Sequence, residues 1–321
     1  MTGDVLEVRD LRVEFPGLIA VNGLSFSLAA DEVLAIVGES GCGKTLTGLS
    51  VLGLEPSGAR VTGQVLLRGE DLRRTDAKRL RDVRGAEIAM VFQEPMTSLN
   101  PSFTVGYQVA EVLRRHSGLR GAACRARVEE LFALVGMPTP ARFLRAYPHQ
   151  LSGGMRQRVM IAMAVACDPA VLIADEPTTA LDPTIQAQIL DLLRGLRERL
   201  GLSVVLITHN LGVVSDLADR VLVMYAGHRL EEAPVSAVLG GAALHPYTRG
   251  LLDAGPAAGA SRRTHRLTSI GGQVPLLDAD PVTCVFSSRC PLVADACLAA
   301  QPGLREALPG HLVACVRAAA S

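Results

Sequence analysis

The chain has 321 residues, 49% of them hydrophobic, and its 32 basic and 32 acidic residues cancel. That length allows one large domain with an appendage, and the balanced charge argues against a dedicated nucleic-acid binder. No apolar run reaches the roughly 18 residues of a membrane-spanning helix, and residues 1–10 lack the basic-then-apolar pattern of a leader.

Residues 6–15 alternate apolar and polar side chains and are predicted to form a strand, as are residues 24–28. Residues 33–37 are a short continuous apolar run closed by Gly38, the pattern of a buried strand. A helix is predicted from 44 to about 54. Residues 88–92, 171–174, 204–207 and 221–224 repeat the buried-strand pattern, with helical periodicity at 125–135, 156–166 and 185–200 between them. Alternating strands and helices predict an α/β fold with a largely parallel core sheet. Residues 98–158 carry helical patterns and no strand, which predicts a helical subdomain. After about residue 240 glycines punctuate a stretch of weak periodicity. The expected division is therefore 1–240 for the main domain and 241–321 for a small C-terminal domain.

Gly38-Glu39-Ser40-Gly41-Cys42-Gly43-Lys44-Thr45 fits the pattern G-x-x-x-x-G-K-[ST] between a predicted strand and a predicted helix. Its glycines permit a tight loop whose N–H groups converge on phosphate oxygens, and the helix start adds favourable partial charge. Only Lys44 and Lys78 are lysines among the 32 basic residues. At position 44 a compact ammonium reaches the β and γ phosphates of a nucleotide, where a planar guanidinium is no substitute. Thr45 can place its hydroxyl on Mg²⁺. Cys42, near a helix start, is expected to have a lowered thiol pKa and to be open to alkylation. The apolar strand at 171–174 ends in Asp175-Glu176. Beside a phosphate loop, the first acid suits Mg²⁺ and the second suits orientation or deprotonation of a water.

Leu151-Ser152-Gly153-Gly154-Met155-Arg156-Gln157-Arg158 resembles the signature sequence of ABC ATPases, with Met155 where many members have Gln. Ser152 and the N–H groups of Gly153 and Gly154 open a predicted helix and make a second anion site. The resemblance implies that this site faces the γ-phosphate of ATP on a partner subunit's loop. Gln93 resembles the family's Q-loop glutamine, which senses nucleotide and counts with Thr45 and Asp175 as a Mg²⁺ ligand. Ala180-Leu181-Asp182 resembles the D-loop, His209 the switch histidine near the γ-phosphate, and Phe15 the aromatic that stacks on adenine. Glu176, His209 and Gln93 are thereby the catalytic candidates. The resemblance covers about residues 5–233 and implies a P-loop ABC ATPase.

Narrower marks are the 93–101 stretch Gln-Glu-Pro-Met-Thr-Ser-Leu-Asn-Pro and the 245–252 stretch His-Pro-Tyr-Thr-Arg-Gly-Leu-Leu. Both resemble the oligopeptide/dipeptide importer branch, which also includes nickel and glutathione importers. That implies an ATP-hydrolysing subunit energising uptake of dipeptides or oligopeptides, with nickel or glutathione import as the alternative. A soluble ABC ATPase without a transport role is disfavoured, because the chain has neither a long coiled-coil insertion nor a second ATPase domain. The implied partners are a second ATPase subunit, expected to be a different chain, two transmembrane permease subunits and an extracytoplasmic binding protein. No nucleic acid is expected. The implied location is the cytoplasmic face of the cell membrane.

Cys284, Cys290, Cys297 and Cys315 are separated by 5, 6 and 17 residues, unlike the close pairs of zinc fingers. Spacing alone leaves the metal open. The C-terminal extension of the importer branch, which this segment resembles, holds a [4Fe–4S] cluster on four such cysteines in some members, with zinc and free buried thiols as alternatives. Cys124 and Cys167 fall at the ends of the helices predicted at 125–135 and 156–166 and are expected in the core.

Overall fold

The computed structural model describes residues 3–94, 98–179, 181–254 and 270–318. The chain packs into two compact units. One takes residues 6–28, 32–73 and 206–321, and the other residues 1–5, 29–31 and 74–205.

The first unit carries two sheets. One is formed by β1 (Asp4–Phe15), β2 (Leu18–Ala29), β4 (Arg60–Leu67) and β5 (Glu70–Asp71), in the order β2-β1-β4-β5. The other is built on β3 (Val33–Val37), whose five residues are all buried. A strand with apolar side chains on both faces is stable only when covered on both sides. β3 runs parallel to β9 (Arg220–Tyr225), with Leu34 opposite Arg220 and Val37 opposite Val223. β10 (His228–Pro234) returns antiparallel to β9. The last hairpin, β11 (Arg305–Leu308) and β12 (His311–Val313), extends the same sheet, with Glu231 of β10 opposite Val313.

The residues after 240 therefore share a core with the strands before it. Val37, Val223 and Tyr225 pack in one cluster with Tyr247, Cys284, Phe286 and Cys297. The Tyr225 ring meets Tyr247 edge-on at 4.8 Å and Phe286 at 5.3 Å, the favoured geometry for aromatic pairs. Fully buried Glu231 accepts from Leu244 N–H at 2.7 Å and His245 N–H at 3.0 Å, and lies 2.6 Å from His311 Nε2. A carboxylate removed from water is tolerated only with partners of this kind. These bonds tie β12 and the turn after β10 together.

In the second unit β6 (Ile88–Val91) and β7 (Val171–Asp175) pair in parallel, with Ile88 opposite Val171 and Val91 opposite Ala174. α2 (Ala77–Val83) precedes β6, and between β6 and β7 come α3 (Val105–His116), α4 (Gly121–Leu134), α5 (Pro140–Phe143) and α6 (Gly153–Ala164), with no strand among the described residues of that stretch. α7 (Pro183–Leu200) follows β7, starts on the Asp182 cap and stops at Gly201, which has φ 61°. β8 (Ser203–Thr208) carries the chain across the division between the two units.

Candidate functional site: the phosphate loop and the strand-end carboxylates

In the first unit β3 runs into Gly38, and α1 (Lys44–Val51) begins after Gly43. Both glycines are sterically required. A Cβ on Gly38 would lie 2.2 Å from the Met224 carbonyl oxygen. Gly43 has φ 100°, and its Cβ would lie 2.5 Å from the Ala20 carbonyl oxygen. Lys44 is 6% exposed, and its Nζ donates to the carbonyls of Gly38 at 2.8 Å and Glu39 at 2.9 Å. The loop thus holds its own cation. Ser40, Gly41 and Thr45 are exposed. Cys42 corrects the expectation of a reactive thiol. It is fully buried, and that burial raises its pKa despite the opposing charge of Lys44.

Half-buried Phe15 ends β1 and lines a pocket of about 540 Å³ with Arg12, Arg60, Asp278 and Asp280. The volume falls within the ordinary range of small-molecule sites. His209 follows β8 and is exposed, next to Asn210, whose side chain caps α8 (Leu211–Leu217) by accepting from Gly212 N–H at 2.9 Å.

In the second unit the parallel register brings the ends of β6 and β7 side by side, so Gln93 and Glu176 leave the sheet at one edge. Gln93 Nε2 donates to Glu176 Oε2 at 3.3 Å, and Thr179 Oγ1 donates to the same oxygen at 2.6 Å. Glu176 has φ 46°, a left-handed conformation that is strained for a non-glycine residue and recurs at functional sites. Asp175, the last residue of β7, is 2% exposed. Ser152 is the exposed N-cap of α6 and accepts from Met155 N–H at 3.3 Å. Gly153 is exposed. Gly154 is buried, and a Cβ there would lie 2.6 Å from Ile185 Cγ2 on α7. Asp182 accepts from Thr184 N–H at 3.1 Å and Ile185 N–H at 3.0 Å. Residues 95–97 of the importer phrase and Ala180 of the D-loop phrase lie outside the described residues.

The structure adds residues that carry no role mark in the sequence. Thr179 holds Glu176. Tyr247 Oη accepts from Glu39 N–H at 2.9 Å, and Arg289 grips the Glu39 carboxylate at 2.6 and 2.9 Å. Only the 245–252 phrase hinted at Tyr247, and nothing marked Arg289.

The C-terminal cysteines gather loosely. Burial raises the Cys284 thiol pKa, and Cys297, Cys315 and Cys290 push it the same way. The Cys290 thiol is likewise raised by burial, with Cys315 and Cys297 adding to the effect. Among the described residues, however, no group of three or more His, Cys, Asp or Glu is arranged to hold a metal ion. The expected convergence on one metal centre is not visible among the described residues. Cys124 is buried as expected, whereas Cys167 is only half-buried.

Residues 21–179 match the family model described as ABC transporter, and residues 230–297 match the model described as oligopeptide/dipeptide transporter, C-terminal region. A probable peptide ABC transporter ATP-binding protein of Sinorhizobium fredii is 47% identical, over 98% of this chain and 95% of that protein. The dipeptide transport ATP-binding protein DppD of Bacillus subtilis is 48% identical, over 97% and 94%. Among solved structures, an ATP-binding cassette in a post-hydrolysis state bound to ADP and Pi matches with TM-score 0.63 and 28% identity, over 72% of this chain and 98% of that one. CbiO1 from Clostridium perfringens, part of the transporter complex cbiONQ, matches with TM-score 0.63 and 28% identity, over 74% and 91%. With the phosphate loop, the strand-end carboxylates and these end-to-end likenesses in place, the chain belongs to the ATP-binding, ATP-hydrolysing subunits of peptide ABC importers.

Proposed function

We propose that the chain hydrolyses ATP on the cytoplasmic face of the cell membrane to drive uptake of dipeptides or oligopeptides through two permease subunits. The supporting observation is the match of residues 230–297 to the peptide-transporter C-terminal region, together with relatives named for peptide and dipeptide transport along nearly the whole chain. In this reading Phe15 stacks on adenine, the loop from Gly38 to Thr45 cradles the phosphates, and Lys44 opposes their charge. Glu176 accepts a proton from the attacking water, while Gln93 and Thr179 keep its carboxylate aimed. His209 contacts the γ-phosphate. Ser152, Gly153 and Gly154 serve the ATP of a second, different ATPase chain, with Asp182 at that junction. Thr45, Gln93 and Asp175 offer hard oxygen donors, which suit Mg²⁺, and that ion would supply charge neutralisation at the phosphates. No described helix is long and apolar enough to cross a membrane, so attachment through the permeases fits the fold.

The test is ATP hydrolysis by the full complex in proteoliposomes with its extracytoplasmic binding protein. Stimulation by binding protein loaded with a dipeptide or oligopeptide is expected. Stimulation by a nickel chelate or glutathione alone would move the cargo to that alternative, and stimulation by none of these would remove the import role.

We also propose a [4Fe–4S] cluster on Cys284, Cys290, Cys297 and Cys315. Four sulfurs on one zinc ion at 2.3 Å must lie roughly 4 Å apart. A cluster gives each cysteine its own iron and so accepts wider separation. The Cys284 and Cys290 thiols, raised by burial and by the cysteines near them, suit a donor set that needs a cationic metal to become thiolate. Anaerobically purified protein should contain iron and acid-labile sulfide; zinc without iron would overturn the cluster and leave the ATPase assignment intact.

A further inference from the structure

Glu39, the second residue of the phosphate loop, is held at three points within the first unit. Its carbonyl accepts from Lys44 Nζ at 2.9 Å. Its N–H donates to Tyr247 Oη at 2.9 Å. Its carboxylate takes both arms of the Arg289 guanidinium, Nη1 to Oε2 at 2.6 Å and Nη2 to Oε1 at 2.9 Å. The first contact is internal to the loop. The other two come from residues 208 and 250 positions later in the chain.

Neither outside residue is loosely placed. Tyr247 is fully buried, and its ring packs on Tyr225 and Phe286. The Arg289 side chain is 4% exposed. It lies over the Tyr225 ring at 5.6 Å, and it donates to the carbonyls of Gly271 at 2.7 Å and Ile270 at 3.0 Å. Four anchors on one guanidinium leave it little freedom, and a fork-to-fork pair with a carboxylate fixes orientation as well as distance. Arg289 also stands one residue before Cys290 and five after Cys284, which packs in one cluster with Phe286.

We propose that Arg289 and Tyr247 are positioning residues for nucleotide binding: they clamp Glu39, so the cysteine-bearing C-terminal segment sets the geometry of the phosphate loop and of Lys44. The effect has two parts. A loop already in its binding shape spares the ordering cost that ATP would otherwise meet, so apparent affinity rises with the population of the competent form. Pairing with Arg289 also cancels a carboxylate charge on a loop that must receive phosphates. The proposal rests on assigning the phosphate loop to ATP.

The test measures equilibrium binding of a fluorescent ATP analogue and steady-state hydrolysis in the assembled complex, for Y247F, R289A, R289K, E39Q, the double variant R289A/E39Q, and K44A. Y247F keeps the ring in its cluster and removes only the hydroxyl that receives Glu39 N–H. It should weaken affinity about fivefold while the protein stays folded and assembled, with at most a small drop in melting temperature. R289A should weaken it about tenfold or more and raise KM more than it lowers kcat, since bound phosphates order the loop by themselves. R289K should recover part of the loss, because it restores the charge without the fork. In R289A, replacing Glu39 by Gln should also recover part of it by removing the unpaired carboxylate. If R289A does not assemble, Y247F and R289K carry the result. Unchanged affinity in both Y247F and R289A, beside a K44A that has lost binding, would overturn the clamp alone. Unchanged affinity in K44A would instead overturn the assignment of the loop.

Discussion

Glu176 is held by Gln93 and Thr179 through one oxygen, Oε2, while its backbone adopts a left-handed conformation. Aiming a carboxylate at this cost is sensible where a water must be oriented. Glu176→Gln keeps the shape and the acceptor oxygen but cannot take a proton. ATP binding should persist while single-turnover hydrolysis at this site falls at least ~100-fold, or about 2.7 kcal/mol of barrier. Near-normal turnover would remove Glu176 from the mechanism. At the same scale His245 offers a pH test. It is 1% exposed, burial pushes its pKa down to about 4, and its Nδ1 accepts from Tyr247 N–H at 3.0 Å. Between pH 4 and 6.5 the unfolded chain binds a proton that the folded one refuses. The neutral ring's contribution is therefore complete above pH 6.5 and is lost as pH falls towards 4, by about 3 kcal/mol at most. His245→Asn keeps an acceptor without titrating. Its stability relative to the parent, from urea unfolding, should rise as pH drops from 6.5 to 4. A constant difference across that range would show that His245 does not titrate as described.

At the scale of elements, packing separates glycines that look alike in the sequence. Gly154, the second residue of α6, has no room for a methyl group, since Ile185 Cγ2 would lie 2.6 Å away. Gly154→Ala should therefore cost about 1–3 kcal/mol, because overpacking outweighs any gain in helix propensity in a first turn. Gly195, inside α7, has nothing within 4 Å of its missing Cβ. Gly195→Ala should stabilise by about 1 kcal/mol. Thermal unfolding of the two variants gives opposite signs if this packing is right. The buried strands read at 33–37 and 171–174 are legible because unbroken apolar runs have few other uses. β4 is not, because Arg60–Leu67 is largely exposed or half-buried and lacks clean alternation. β11 and β12 have no clear sequence mark because they are short: β12 owes its form to pairing with β10, some eighty residues earlier, and β11 to pairing with β12.

At the scale of the whole molecule, local chemistry was readable and distant partnership was not. Eight consecutive residues spell out the phosphate loop, whereas the Arg289–Glu39 pair spans 250 positions and leaves no local pattern. Ser152 poses the question at the largest scale. It caps α6 within its own chain, and Gly153 beside it is exposed, so the start of that helix faces outward with N–H groups available. An anion is favoured there by charge and by hydrogen bonding together. If the anion is the γ-phosphate held by a second ATPase chain, Ser152→Ala must injure a site that this chain does not own. The cap itself is worth only about 1 kcal/mol, so the variant should fold and assemble. In a complex where Lys44→Ala silences this chain's own loop and the partner keeps its loop intact, adding Ser152→Ala should sharply reduce the remaining hydrolysis. In the reciprocal complex, with the partner's loop silenced, the same substitution should leave hydrolysis at this chain's loop nearly unchanged. The opposite pattern would place the signature serine on its own chain's nucleotide and refute the exchange of sites between subunits.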